Sequence, residues 1–142
     1  MKVSEAMVVD VVTGNSETKV AELANMLVEN EISGIPIVDS NRIILGIVTE
    51  RDLLPKMKGV PFSNVRLPSL FGTWLGELEF EKVIAEAKER RAEEIMNKSV
   101  ITIDKTAELS TAASLMAQHS IKRLPVVSNG VLVGIITRAD II

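Results

Sequence analysis

The sequence predicts an α/β (α+β) fold of two β-α-β-β-α repeats sharing one core, and three observations carry that prediction. The chain matches itself: Met7 aligns with Met96, Val11 with Val100, Thr13 with Thr102, Ala24 with Ala113, Ile32 with Ile121, Pro36 with Pro125 and Val38 with Val127. After one residue is dropped in a turn, Gly46 meets Gly134, Ile47 meets Ile135, Thr49 meets Thr137 and Asp52 meets Asp140. Within each copy, short β-branched runs alternate with stretches whose apolar residues recur at helical spacing. The length of 142 residues suits one compact domain, because single-core domains run to roughly 100–150 residues. Either half alone would be marginal.

The elements follow in order. Val11-Val12-Thr13 and Val100-Ile101-Thr102-Ile103 read as the leading strands. Val20, Leu23, Ala24 and Leu27, and then Leu109, Ala112, Ala113, Leu115 and Met116, form the apolar stripes of the helices that follow. Ser16, Thr18, Asp104 and Thr106 supply candidate N-caps. A hairpin comes next: Ile35-Pro36-Ile37-Val38 turns through Asp39-Ser40-Asn41 into residues 43–48, and residues 124–127 turn through Ser128-Asn129-Gly130 into 131–136, Asn-Gly being a strong hairpin signal. Residues 1–54 thus make the first repeat and 92–142 the second, and the sequence ends so soon after Asp140 that either a very short closing turn or a partner covering that end is expected. Between them, 55–91 breaks the symmetry, with a Pro- and Gly-containing loop over 55–76 and a helix expected from Leu78 through Phe80, Val83, Ile84 and Ala87 into Glu93-Glu94-Ile95-Met96. All the aromatic residues, Phe62, Phe71, Phe80 and Trp74, lie in this insert. They fit either anchors that hold the loop onto the repeats or a dimer surface or lid.

Composition removes several function classes. With no cysteine, disulfides, thiolate catalysis and cysteine-held metals are excluded, and the single histidine, His119, leaves little for a transition-metal site. A formal net charge of −3 argues against general nucleic-acid binding. No apolar run approaches the ~18 residues of a membrane span, and no secretory signal follows Met1-Lys2-Val3-Ser4-Glu5, so a soluble, cytoplasmic protein is expected. Neither a Walker-type phosphate loop nor a Gly-x-Gly-x-x-Gly turn is present. The charged residues between Glu79 and Arg91 read as a solvated helix face.

The residues left to carry chemistry are the closing motifs Gly46-Ile47-Val48-Thr49-Glu50-Arg51-Asp52 and Gly134-Ile135-Ile136-Thr137-Arg138-Ala139-Asp140. A strand that ends at the threonine and passes into a helix places a hydroxyl and a carboxylate on one first turn. Such a pair can hydrogen-bond the vicinal hydroxyls of a ribose. It equally fits a capping box, with the carboxylate reaching back to the helix start.

These motifs resemble the Gly-x-x-Thr-x-x-Asp signature that closes a CBS domain, and Ile35-Pro36-Ile37-Val38 and Leu124-Pro125-Val126-Val127 resemble that family's apolar-Pro-apolar-Val strand. Two such copies resemble a stand-alone CBS pair, or Bateman module, in which a pseudo-twofold axis packs the sheets together and leaves two clefts. The resemblance implies a sensor or regulator, not an enzyme, that binds an adenosine-containing ligand such as AMP, ADP, ATP or S-adenosylmethionine. It implies that Thr49 with Asp52 and Thr137 with Asp140 hold ribose. Backbone near Thr13 or Thr102, together with Gly34, Ile35 and Pro36 or Leu124 and Pro125, would read the adenine edge. It further implies that Arg123, then Lys122, meets phosphate. His119, Arg138 and Arg51 are further cations near these segments. The copies differ here, Ser33-Gly34 standing where the second has Lys122-Arg123, so inequivalent sites are expected, one for a phosphorylated nucleotide and one for a less charged ligand or none. A homodimer and a separate regulated protein partner are also implied.

Three rivals remain. The chain could be an interaction module whose Thr/Asp pairs are caps only. It could be a small nucleotide hydrolase using Asp52, Asp140 and a divalent ion. It could bind single-stranded nucleic acid through Lys56, Lys58 and Arg66 beside Phe62 and Phe71.

Overall fold

The structure, a computed structural model, describes residues 1–53 and 85–142. In the first repeat they form α1 (Val3–Ala6), α2 (Val20–Glu29), β1 (Gly34–Val38), β2 (Ile44–Thr49) and α3 (Glu50–Leu53). Residues 85–88 are helical, and α4 (Ala92–Ile95), β3 (Ile103–Asp104), α5 (Leu109–His119), β4 (Arg123–Ser128), β5 (Val131–Thr137) and α6 (Arg138–Ile141) follow. β1 and β2 pair antiparallel; in the second repeat β3 runs parallel to β4, which pairs antiparallel with β5. The mixed α+β architecture is the expected one. The leading strand differs, being much shorter than its β-branched residues suggest. In the first repeat it shrinks to one bridge between Gly14 and Ile37, and in the second it begins only at Ile103. Val11 and Val12 instead line a cleft. The loop and aromatic residues expected over 55–80, with Lys56, Lys58 and Arg66, lie outside the described residues.

α2 buries Val20, Leu23 and Leu27 on one face, and α5 buries Ala112 and Met116. Their N-caps are Lys19 and Glu108, not the polar residues upstream. Those residues fold the preceding turns instead: the Asn15 N–H donates to Thr18 Oγ1 at 3.0 Å, and the Thr106 N–H to Asp104 Oδ2 at 2.9 Å. The helix starts are satisfied by backbone from elsewhere, Val20 N–H donating to the Arg90 carbonyl at 2.8 Å and Leu109 N–H to that of Met1 at 2.9 Å. The hairpins match the turn chemistry. Asn129 and Gly130 have φ of 53° and 81°, the two positive values that a tight hairpin turn requires. In the first repeat Asp39 Oδ1 accepts from the N–H groups of Asn41 and Ile43, at 2.8 and 2.9 Å.

The repeats do not share the single core expected of them: each builds its own, and the two cores exchange their leading segments. Val20, Leu23, Leu27, Ile35, Ile37 and Val48 pack with Ala92 and Ile95, whereas Ile103, Ala112, Met116, Leu124, Val126 and Ile136 pack with Val3. The helix expected to run unbroken from the insert into residue 96 therefore stops short. Arg91 is extended (φ −98°, ψ 158°), its N–H donates to Glu94 Oε2 at 2.6 Å, and α4 starts afresh against the first core. Hydrogen bonds repeat across the exchange. Val3 N–H donates to Ala107 at 2.9 Å and its counterpart Ala92 to Thr18 at 2.7 Å; Ser4 donates to Lys105 at 3.1 Å and Glu93 to Ser16 at 3.0 Å. Val8 exchanges both backbone bonds with Ile135, as Asn97 does with Ile47. Such reciprocity is the signature of a pseudo-twofold axis relating the repeats.

The exchange explains the glycine of the closing motif. A Cβ on Gly134 would lie 2.5 Å from Met7 Sδ and 3.0 Å from the Val8 carbonyl oxygen; on Gly46 it would meet Met96 Sδ at 2.7 Å and the Asn97 carbonyl oxygen at 3.0 Å. The methionines can yield, but the paired backbone cannot without breaking the crossing bridge. Gly134→Ala is therefore expected to destabilise the protein by about 1–3 kcal/mol, the usual cost of overpacking, as read by urea denaturation. A loss of under about 0.5 kcal/mol, the range of an ordinary surface change, would mean that the crossing segment is free to move.

Candidate functional site

A cleft of about 700 Å³ opens between the repeats. Its apolar wall comes from the first repeat, through Val11, Val12, Ala24, Leu27 and Ile32, while Ile135, Thr137 and Asp140 of the second repeat face it. Apolar faces with a few convergent polar groups are what a flat heterocycle on a sugar requires. The polar pair is fixed by the strand-to-helix junction. Thr137 ends β5 and caps α6; its N–H donates to Asp140 Oδ2 at 2.8 Å and its hydroxyl to the same oxygen at 3.0 Å. Thr49 and Asp52 repeat this at 2.8 and 3.3 Å. The capping box is thus present, and it occupies one carboxylate oxygen. Among the described residues no donor reaches the other, Oδ1, which stays available to accept from a ligand.

Arg123 enters the same cleft from β4 and lies across Gly34, where a Cβ would fall 2.7 Å from Arg123 Cδ. Its Nη2 donates to Ser33 Oγ. Half-burial lowers the guanidinium pKa and nearby Glu50 acts against the shift; the group remains charged at any physiological pH.

A second hollow of about 500 Å³ is lined by second-repeat residues from Ala113 to Lys122 on α5 and the segment after it, and by Arg138, Ile141 and Ile142. These are the repeat counterparts of the first-repeat side of the larger cleft, but Thr49 and Asp52, the counterparts of Thr137 and Asp140, are not among the residues that line either hollow. Lys122 and Arg123, neighbours in sequence, line different clefts.

The remaining expected residues divide by burial. Gly34 lines the larger cleft, while Ile35, Pro36, Leu124 and Pro125 are buried in β1 and β4. Thr13 and Thr102 are half-buried beside the leading segments and line neither hollow, and neither do His119 and Arg51. Asp10 and Glu31, which line the larger cleft, belong to no motif, and Glu50, which also lines it, stands at a variable position of the first closing motif. The self-alignment held a signal for one of them, since Glu50 is the counterpart of Arg138. Among the described residues no group of histidine, aspartate and glutamate is placed to hold a metal ion, and Asp52 and Asp140 sit on separate helices. No helix among them is long and apolar enough to cross a membrane.

Comparison with known proteins agrees with this geometry. The profile described as "CBS domain" matches residues 3–59 and 92–142. The chain is 30% identical over 129 residues to the chloroplastic CBS domain-containing protein CBSX2 of Arabidopsis thaliana, covering 88% of this chain and 54% of that protein. It therefore spans about half the length of the curated relatives it matches. The crystal structure of CBSX2 in complex with AMP superposes with a TM-score of 0.74 at 25% identity, covering 99% of this chain and 92% of that one. The CBS domain pair of MJ0100, solved with methylthioadenosine and S-adenosyl-L-methionine, gives 0.70 at 25% identity, with 99% and 92% covered.

Proposed function

The chain belongs to the CBS domain family, and from that premise we propose that it is a regulatory module that binds an adenosine-containing ligand in the clefts between its repeats and passes occupancy to a partner. The observation that carries this reading is the Thr137–Asp140 pair, which faces an apolar wall across the cleft and keeps Oδ1 open after the cap has taken Oδ2. A ribose presents two vicinal hydroxyls to such an acceptor, and the adenine then lies against Val11, Val12, Ala24 and Ile32. AMP in CBSX2, and methylthioadenosine and S-adenosylmethionine in the MJ0100 pair, share this adenosyl unit.

The reading gives the module no catalysis of its own. It acts as a cytoplasmic homodimer whose ligand biases the arrangement of repeats or subunits, which a ligand can do only through unequal affinity for two states. A second reading has its own support: the capping boxes account for both Thr/Asp pairs structurally, as in an interaction module that binds no nucleotide.

Calorimetric titration of ligand-stripped protein with AMP, ADP, ATP, S-adenosylmethionine and NAD separates the two. Saturable binding of at least one adenosyl compound is expected. A folded, ligand-free protein that takes none of the five would overturn the sensor reading in favour of the interaction module.

A further inference from the structure

The repeats place different charges at equivalent positions around the two clefts. Glu31 of the larger cleft corresponds to Ser120 of the smaller, Ser33 to Lys122 and Glu50 to Arg138. Every one of these exchanges makes the larger cleft more negative or the smaller more positive. Asp10 and Asp140 add to the first, so four carboxylates there face one guanidinium. That guanidinium, Arg123, is bonded to Ser33 and lies close enough to Glu50 to feel its charge. Lys122 and Arg138 of the smaller hollow form no ion pair among the described residues, and Arg138 N–H donates to the Lys122 carbonyl at 2.9 Å, which holds the two cations on one rim. Opposite charge strengthens and like charge weakens the binding of a charged ligand at such close range.

Resting on the adenosyl reading above, we propose that the two clefts sort adenosyl ligands by charge: the larger one takes a compound with a neutral or cationic substituent on the ribose, such as a thioether or sulfonium, and the smaller takes a nucleoside phosphate. In the larger cleft Asp140 and an apolar wall meet the sugar and base; repeat symmetry assigns Asp52 the matching role for the smaller. Selection comes from the rim: a phosphate in the larger cleft would approach Glu31 and Glu50, whereas in the smaller it meets the ammonium of Lys122 and the guanidinium of Arg138.

The test is calorimetric titration of the intact chain with AMP and with methylthioadenosine, singly and each in the presence of the other, on the parent protein and on Arg138→Glu and Glu50→Arg. Both substitutions are at exposed positions, and circular dichroism checks that the variants fold. One equivalent of each compound is expected to bind without competition. Arg138→Glu weakens AMP about tenfold, the scale of one charge-assisted contact, and leaves methylthioadenosine unchanged. Glu50→Arg admits a second equivalent of AMP. Competition for a single site, or AMP binding that ignores Arg138→Glu and is lost in Arg123→Ala, would overturn the sorting while leaving the adenosyl reading intact. Failure of both compounds to bind folded parent protein overturns both.

Discussion

Val3→Asp is expected to unfold the protein or leave it barely stable, although residue 3 lies far in sequence from the residues it touches. Val3 is 0% exposed and packs with Ile103, Ala112, Met116, Leu124, Val126 and Ile136 of the second repeat. Among the described residues the buried core contains no charged group, so nothing near this position compensates a carboxylate. An unpaired buried charge costs about 3–5 kcal/mol, against a total stability of roughly 5–15 kcal/mol for a domain. Two controls isolate the cause. Val3→Ala removes two methyl groups and leaves a small void, at about 1–3 kcal/mol. Lys2→Ala breaks only the exposed pair with Glu108 at 3.0 Å, which is worth at most about 1 kcal/mol. Urea denaturation monitored by circular dichroism reads all three. A Val3→Asp protein within about 1 kcal/mol of the parent would mean that the leading segment does not belong to the second core in solution.

That exchange marks the limit of what the sequence discloses. The repeat, both hairpins and the helices α2 and α5 were legible because their signals are local: Asn129-Gly130 demands positive φ at successive residues, and Leu23 and Leu27 lie one turn apart. The closing motif was legible for the same reason, since its threonine and aspartate are bonded within one turn. Partnership across the axis has no local signature. Val3 and Ala92 align as counterparts, but the alignment cannot say whether each packs in its own copy or in the other. The polar residues Ser16, Thr18, Asp104 and Thr106 carry the composition of caps, yet the helix starts are closed by the carbonyls of Arg90 and Met1, distant groups that displace them. Arg123 and Lys122 likewise read as one basic patch until the structure puts Arg123 on the larger cleft and Lys122, just before β4, on the smaller. The place of Glu31 on the acidic rim follows from the fold alone, whereas Glu50 stands out in the alignment against Arg138.

The last expectation concerns whether the Thr/Asp pairs act beyond capping, and Asp140→Asn tests it without removing the cap. The asparagine carbonyl oxygen can still accept from Thr137 N–H, so stability is expected to fall by less than about 1 kcal/mol, the typical value of a whole cap. The amide nitrogen then stands where Oδ1 stood, and a nitrogen that only donates cannot receive a ribose hydroxyl. Loss of a hydrogen bond to a charged acceptor costs about 1.5–3 kcal/mol, so affinity for the ligand of the larger cleft is expected to fall roughly 10- to 100-fold by titration. Asp52→Asn does the same at the smaller cleft, and the double variant binds adenosyl compounds weakly at both. Asp140→Ala provides the contrast, losing both the cap and the ligand contact. If Asp140→Asn and Asp52→Asn bind as tightly as the parent while the alanine variants lose only stability, the carboxylates are caps and nothing more. If affinity falls while stability holds, one carboxylate serves both ends of its geometry, one oxygen closing the helix and the other holding the sugar.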